Sequence, residues 1–380
     1  MQKGYGVHTM RRGTNAGGMR RYNERLILSA VRRMNGASKA ELARVTALSP
    51  QAVVRIVDEL NEEGLLFQAS KRTGGMGQPA TIYRINGKRG YTVGVEVGRG
   101  DTTIVLLDFD GERKAVCRHA DRFPSIDMVL RHIDAFIDEH LASKNLLNAE
   151  AFMGIGVAMP WFLGEWRDEL GISVDQADEW RRADVADRLK AGVTWPTFFE
   201  NDGNAAALAQ LLCGVGVDLQ DFLAVNIGTF IGGGLVLGGR VHQGRHGNAG
   251  ALASMPVCAA GKTDYLIHHA SLYALDQDAV AQERSAWVER CVEALAFALT
   301  SANSLLDLEA VIIDGALPPS SLEEIAEGLR AHFSSYAPPD FFAPEIRKGT
   351  LGNVAAAVGA GLLPMHASFT PDLASLFKKD

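Results

Sequence analysis

Apolar residues recur at helical spacing over the first sixty or so positions, then give way to short apolar runs and alternation from about residue 90. In YNERLILSAVRRM, residues 22–34, Leu26, Ile27, Ala30 and Val31 share one helical face, and Asn35 and Gly36 break the pattern. Ser38 stands three residues before Glu41, the spacing of a capping box, and the helix it opens is expected to turn Leu42 and Val45 inward. The turn TALS leads to a second start, with Ser49 as cap, Pro50 in the first turn, and Val53, Ile56, Val57 and Leu60 as a buried stripe. After Gly64, LLFQASKRTGGMGQPATIYRIN reads as two strands around a glycine-rich turn. Two helices across a tight turn, followed by a strand pair, predict a winged helix-turn-helix over residues 21–88, preceded by an N-terminal arm at 1–20.

Beyond it, residues 89–380 predict an α/β body. Strands are expected at 91–97 and 102–108, then a hairpin at DFDGE, a helix at about 125–142, the strand FMGIGVAMP (152–160) and a short strand near 195–199. ENDGNAAALAQLLCG reads as a turn entering a helix, VNIGTFIGGGLVLGGRV as two strands around glycines, and LEAVIIDG (308–315) as a strand between long helices. These repeated units describe two lobes around a cleft, lobe 1 at about 89–200 plus the C-terminal helix and lobe 2 at about 201–350.

Charge sharpens the division. Residues 1–90 hold 16 Lys and Arg against 6 Asp and Glu, so the remainder carries −17 of an overall −7. A basic head on an acidic body points to nucleic acid as a partner. Cys117, Cys213, Cys258 and Cys291 have no paired spacing, no signal-peptide core opens the chain, and no long apolar run interrupts it. A cytoplasmic protein with free cysteines and no membrane partner is expected.

In such a head, the helix from Ser49 offers Gln51 and Arg55 to base edges or phosphates, with Ala52 and Val54 available to thymine methyl groups. Lys71 and Arg72 are expected beside phosphates. The same shape also serves as a protein-docking module. In the body, GTFIGGG (228–234) reads either as a phosphate cradle or as a plain strand connection, and no P-loop exists in the chain. Asp202, at a strand-to-helix turn, reads either as a group that orients or deprotonates a hydroxyl or as a helix cap.

The ordered combination of GIGVAMP, ENDGNAAALAQ, NIGTFIGGGLVLGGRVHQGRHGNAGALASM, VIIDGALPP and LGNVAAAVGAGLL behind a helix-turn-helix resembles the ROK family of bacterial repressors, open reading frames and sugar kinases. The likeness is to the transcriptional-regulator branch with its xylose and N-acetylglucosamine repressors. It implies an actin-like, hexokinase-like ATPase fold for the body. It places Asn201 and Asp202 on sugar hydroxyls, with Asp202 at the catalytic base position, backbone near Gly156 and Gly250 beside the ligand, and Trp161 as an apolar platform. Several positions depart from the family pattern. Ala251 and Ser254 stand in AGALAS where active members carry Glu and His, Cys258 alone represents a cysteine cluster, and Glu96-Val97-Gly98-Arg99-Gly100-Asp101 replaces an aspartate followed by GGT. The wing carries Gln78 where an arginine is usual, with Lys71, Arg72 or Arg84 left to compensate. The resulting expectation is a DNA-binding regulator that represses carbohydrate genes under control of a sugar effector. It is expected to act as a homodimer or homotetramer on an operator, with no enzyme activity, metal or cofactor and with Asp202 a vestige. The alternatives are an ATP-dependent sugar kinase with an appended DNA-binding domain and a docking scaffold.

Overall fold

The computed structural model describes residues 16–371 apart from 73–79, 145, 147–150, 166, 168–170, 182–183, 260, 276–280 and 337–338. Contacts divide the chain into one unit of residues 1–89 and 365–380 and another of residues 90–364.

The first unit begins with α1 (Ala16–Arg33), α2 (Lys39–Thr46) and α3 (Pro50–Glu62), followed by β1 (Leu66–Arg72) and β2 (Ala80–Ile85). The capping box forms as its spacing predicts: Glu41 N–H donates to Ser38 Oγ at 3.3 Å, and Ser38 N–H donates to Glu41 Oε2 at 2.8 Å. Ser49 Oγ accepts from Ala52 N–H at 3.3 Å, starting α3 where Pro50 needs no donor of its own. Ile27, Val31, Leu42, Val53, Ile56, Val57 and Leu60 are buried together with Leu66. Val45 corrects the sequence reading, because it is 54% exposed. It lies at the rim of a helix that ends one residue later, where Ala47 turns left-handed, so Leu42 alone supplies the buried row. β1 and β2 pair antiparallel, from Leu66 opposite Ile85 to Arg72 opposite Ala80, with an irregularity between Gln68 and Ser70.

The second unit repeats one topology. Its first half contains β3 (Tyr91–Val97), β4 (Thr102–Asp108), β5 (Arg113–His119), α4 (Ile126–His140), β6 (Phe152–Ala158), α5 (Val174–Arg181), α6 (Val185–Gly192) and β7 (Thr197–Glu200). The second half contains α7 (Asp202–Cys213), β8 (Phe222–Ile227), β9 (Ile231–Leu237), β10 (Arg240–Val241), the ribbon β11 (Pro256–Ala259) and β12 (Lys262–Tyr265), and α8 (Ile267–Ala270). It continues through α9 (Ala281–Leu306), β13 (Ala310–Gly315), α10 (Pro319–Tyr336) and β14 (Glu345–Lys348) to α11 (Ala355–Phe369). The sheets run β5-β4-β3-β6-β7 and β10-β9-β8-β13-β14, each an antiparallel meander extended by two parallel strands. This is the duplicated α/β arrangement of an actin-like, hexokinase-like body. Strands buried on both faces, such as β4 and β13, read as continuous apolar runs for that reason.

Small residues set how closely the helices approach. A Cβ on Gly156 in β6 would stand 1.8 Å from the Ala360 carbonyl oxygen, and one on Gly359 in α11 would stand 1.7 Å from that of Ala205. Thus α11 packs at backbone distance against both β6 and α7. The start of α7 is thereby fixed beside the central strands of the first sheet.

Candidate functional site

The chain leaves β7 at Glu200 and enters α7 through Asn201, which takes the cap. Its Oδ1 accepts from Gly203 N–H at 3.0 Å and Asn204 N–H at 3.3 Å. Asp202 is therefore not the N-cap. It is the first helical residue, where the positive end of α7 favours a carboxylate, and its Oδ1 accepts from Gly203 N–H at 2.9 Å.

Arg99 reaches the same place from the turn after β3. Its Nη2 donates to the Phe162 carbonyl at 3.1 Å, and its guanidinium carbon lies 4.4 Å from the centroid of the Phe230 ring. Among the described residues, the buried Arg99 Nε has no hydrogen-bond partner. Gly100 lies close enough to Thr229 that a Cβ would meet its Oγ1 at 3.3 Å, so the turns after β3 and after β8 approach one another. Asp202 interacts with both Glu96 and Arg99 here. Burial, then Asp202 and Asp101, push the Glu96 carboxyl up to about 8. Burial also raises Asp202, with Arg99 holding it back, while burial lowers the Arg99 guanidinium to about 10. At neutral pH Glu96 holds its proton and Arg99 remains charged, a poised set of groups of the kind found where hydroxyls and anions are handled.

A polar floor closes the other side. Glu200 Oε1 accepts from Asn201 N–H at 2.8 Å and Asn204 Nδ2 at 3.0 Å, and Glu200 Oε2 accepts from Gln243. The Gly247 carbonyl accepts from Trp161 Nε1 at 2.8 Å and Asn204 Nδ2 at 3.2 Å, tying the glycine-rich loop to both α7 and the segment after β6. Trp161 thus has its polar edge fixed and its ring partly packed against the first-half core. Gly250 holds a positive φ of 79° with Gly233 backbone behind it, so that loop needs glycine.

Of the residues proposed for the ligand, Asn201, Asp202, Trp161 and Gly250 fall on this loop-and-helix junction. Gly156 lies mid-strand, and the structure gives its missing side chain a packing reason. Glu200, Asn204 and Gln243 were missed. The i, i+4 spacing of Glu200 and Asn204 was a signal in the sequence, but the part played by Gln243 needed the fold. Ala251 and Ser254 are exposed.

In the N-terminal unit, Ser49, Gln51 and Arg55 are exposed, and Ala52 is half-buried. Gln51, Val54 and Arg55 share the face of α3 opposite its buried stripe. Arg55 Nη1 lies 3.4 Å from Glu59 Oε1, an exposed pair that a stronger anion can displace. Lys71 and Arg72 fall on β1, and Gln78 lies outside the described residues.

Comparison with known proteins bears on both units. The ROK family model matches residues 92–366, and a MarR family model matches residues 22–75. The y4fQ protein of Sinorhizobium fredii is 26% identical over 91% of each chain. The xylose repressor of Bacillus subtilis is 24% identical over 64% of this chain and 64% of its own length. A glucokinase from Halalkalibacterium halodurans is 26% identical over 62% of this chain and 83% of its own. Among solved structures, a ROK family transcriptional regulator homologous to the Escherichia coli MLC protein covers 94% of this chain and 99% of that one, at TM-score 0.66 and 18% identity. A ROK glucokinase from Streptomyces griseus, solved with glucose and AMPPNP, covers 72% of this chain and 99% of that one, at TM-score 0.55 and 21% identity. The relation to glucokinases overturns the expectation that the chain is not an enzyme. That expectation leaned on the substitutions at 96, 99, 251 and 254, yet Asp202 keeps its place at the head of α7, and Glu96 still supplies a carboxyl beside it. Among the described residues, no helix is long and apolar enough to cross a membrane.

Proposed function

The chain belongs to the ROK family, and from that membership we propose that it binds a carbohydrate at Asn201 and Asp202 and duplex DNA through its N-terminal unit, as a sugar-responsive transcriptional regulator built on a sugar-kinase frame. The observation that carries the sugar site is the cap. Because Asn201 satisfies the helix donors, Asp202 is left to meet hydroxyls, with Arg99 and neutral Glu96 beside it. In the regulatory reading, residues 21–88 form the DNA-binding domain and 89–380 the sensor. The α3 face with Gln51 and Arg55 enters the major groove, and the β1–β2 pair acts as a wing that brings Lys71, Arg72 and Gln78 to the backbone. One such module covers a short half-site, so a homodimer or homotetramer is part of the proposal. Its likeness to xylose and N-acetylglucosamine repressors supports this reading.

A second reading is ATP-dependent phosphorylation of the bound sugar, with Asp202 taking the hydroxyl proton as the oxygen attacks the terminal phosphorus, the bond from that phosphorus to the bridging oxygen breaks and ADP leaves. The glucokinase relative supports it more directly, since the match spans 83% of that enzyme against 64% of the xylose repressor. One set of measurements separates the two. Genomic DNA fragments are titrated with the protein at several salt concentrations, with and without a sugar and sugar-phosphate panel, and ATP turnover is followed on the same panel. A preferred fragment whose affinity shifts with a sugar, and whose shift Asp202→Ala weakens, supports the regulator. Turnover abolished by Asp202→Asn supports the kinase. Absence of any preferred fragment at any salt concentration overturns the regulatory reading.

A further inference from the structure

Far from these groups in sequence, at the edge of the first sheet, a second set of chemistry-bearing residues converges. Cys117 and His119 alternate on β5, so both side chains leave the strand on the face that also carries Ala115. Asp121 follows just beyond the strand, and His132 faces them from α4. Cys117 Sγ lies 3.3 Å from His119 Nε2, and His132 Nε2 lies 3.3 Å from Asp121 Oδ2. The imidazoles of His119 and His132 are stacked, with centroids 3.6 Å apart and planes 6° from parallel. Ligand atoms of His119, Asp121 and His132 all fall within 4.8 Å of one another, and among the described residues the buried His132 Nδ1 has no hydrogen-bond partner.

We propose that Cys117, His119, Asp121 and His132 bind a single divalent transition-metal ion, Zn²⁺ foremost, which ties the edge strand β5 to α4. The donor set argues for the ion. Two imidazole nitrogens, one carboxylate oxygen and one sulfur suit Zn²⁺ and its neighbours rather than Ca²⁺ or Mg²⁺, which require oxygen. Charge argues the same way: one thiolate and one carboxylate with two neutral imidazoles balance a divalent cation in a half-buried position. With metal–nitrogen distances of about 2.0–2.1 Å, donors around a tetrahedral ion stand roughly 3.3–3.5 Å apart. The Cys117–His119 and His132–Asp121 separations of 3.3 Å fall near that spacing, and the site forms when the parallel His119 and His132 rings rotate out of their stack and Cys117 turns in to face the same ion.

A competing cluster lies on the second half, where Asp264 bonds His268 Nδ1 at 2.6 Å and His269 Nε2 at 3.1 Å, near Cys258 in β11. The test therefore uses the full chain stripped by chelator and titrated with Co²⁺, then with Zn²⁺ against a chromophoric chelator. The expected result is about one equivalent of Co²⁺ with tetrahedral absorption and a thiolate charge-transfer band. Cys117→Ser should abolish that band, and His119→Gln or His132→Gln should weaken Zn²⁺ binding by at least about 100-fold. Circular dichroism confirms that each variant is folded, and Cys258→Ser and Asp264→Asn should leave the spectrum and affinity unchanged. No stoichiometric uptake, uptake indifferent to folded Cys117→Ser and His132→Gln, or uptake lost instead on Asp264→Asn would each overturn the site.

Discussion

Glu96 shows how a single residue changes character when the fold surrounds it. Its folded-state value of about 8 lies above the ordinary carboxyl value of 4.5. Its contribution to stability is therefore fully present below the ordinary value and is lost as pH rises through the folded one. Glu96→Gln keeps the neutral shape and is expected to flatten that decline, exceeding the parent by a few kcal/mol at about pH 8 and above. Melting midpoints across roughly pH 5 to 9 check it; parallel curves for the two proteins would refute it. Asp314 makes a related point in β13. It accepts from Gln210 Nε2 at 2.7 Å and from the N–H groups of Leu351 and Gly352, both at 3.0 Å. Asp314→Ala strips these buried donors of their acceptor and should cost about 3 kcal/mol by denaturant unfolding. The sequence around Asp314 showed only the end of a strand, since its partners lie 104, 37 and 38 residues away.

At the level of elements, the most secure sequence signals were the local ones. The Ser38 box and the Ser49 cap depend on atoms three residues apart, and both form. Ser38→Ala is expected to cost about 1 kcal/mol, read as a lowered urea midpoint. Glycine reads less directly. Residues such as Gly359 and Gly232 look alike in the sequence, but a Cβ on the first would collide with the Ala205 carbonyl whereas one on the second meets nothing within 4 Å. Gly359→Ala should destabilise by about 3 kcal/mol and Gly232→Ala by well under 1. Equal melting shifts for the two would sink the argument. The same limit explains Asp202, whose two sequence readings were cap and hydroxyl partner. Helix spacing could not show that Asn201 takes the cap, because that choice depends on where β7 delivers the chain.

The whole molecule combines a basic N-terminal unit with an acidic body, and under the proposed regulatory reading that contrast sets the expected salt dependence. With phosphate contacts supplying most of the affinity, raising salt from about 50 to 200 mM should weaken binding by at least about 100-fold. Gln51→Ala should reduce the preference between fragments by about tenfold while leaving the salt slope unchanged, whereas Arg55→Ala should lower the slope. Fluorescence anisotropy on preferred and random duplexes reads both quantities, and identical slopes for parent and Arg55→Ala would remove that residue from the phosphate interface. The sequence by itself determined the local elements, the basic head and the duplicated α/β body, because periodicity, caps and charge are written in neighbouring residues. Tertiary structure decided the electrostatics and the company of each side chain. Burial beside Asp202 neutralises Glu96, and Arg99 meets Phe162 and Phe230 across 63 and 131 positions. His132 joins His119 and Asp121 only once α4 folds back toward β5. Dielectric and distance belong to the folded chain, so no reading of neighbours along the sequence could have supplied them.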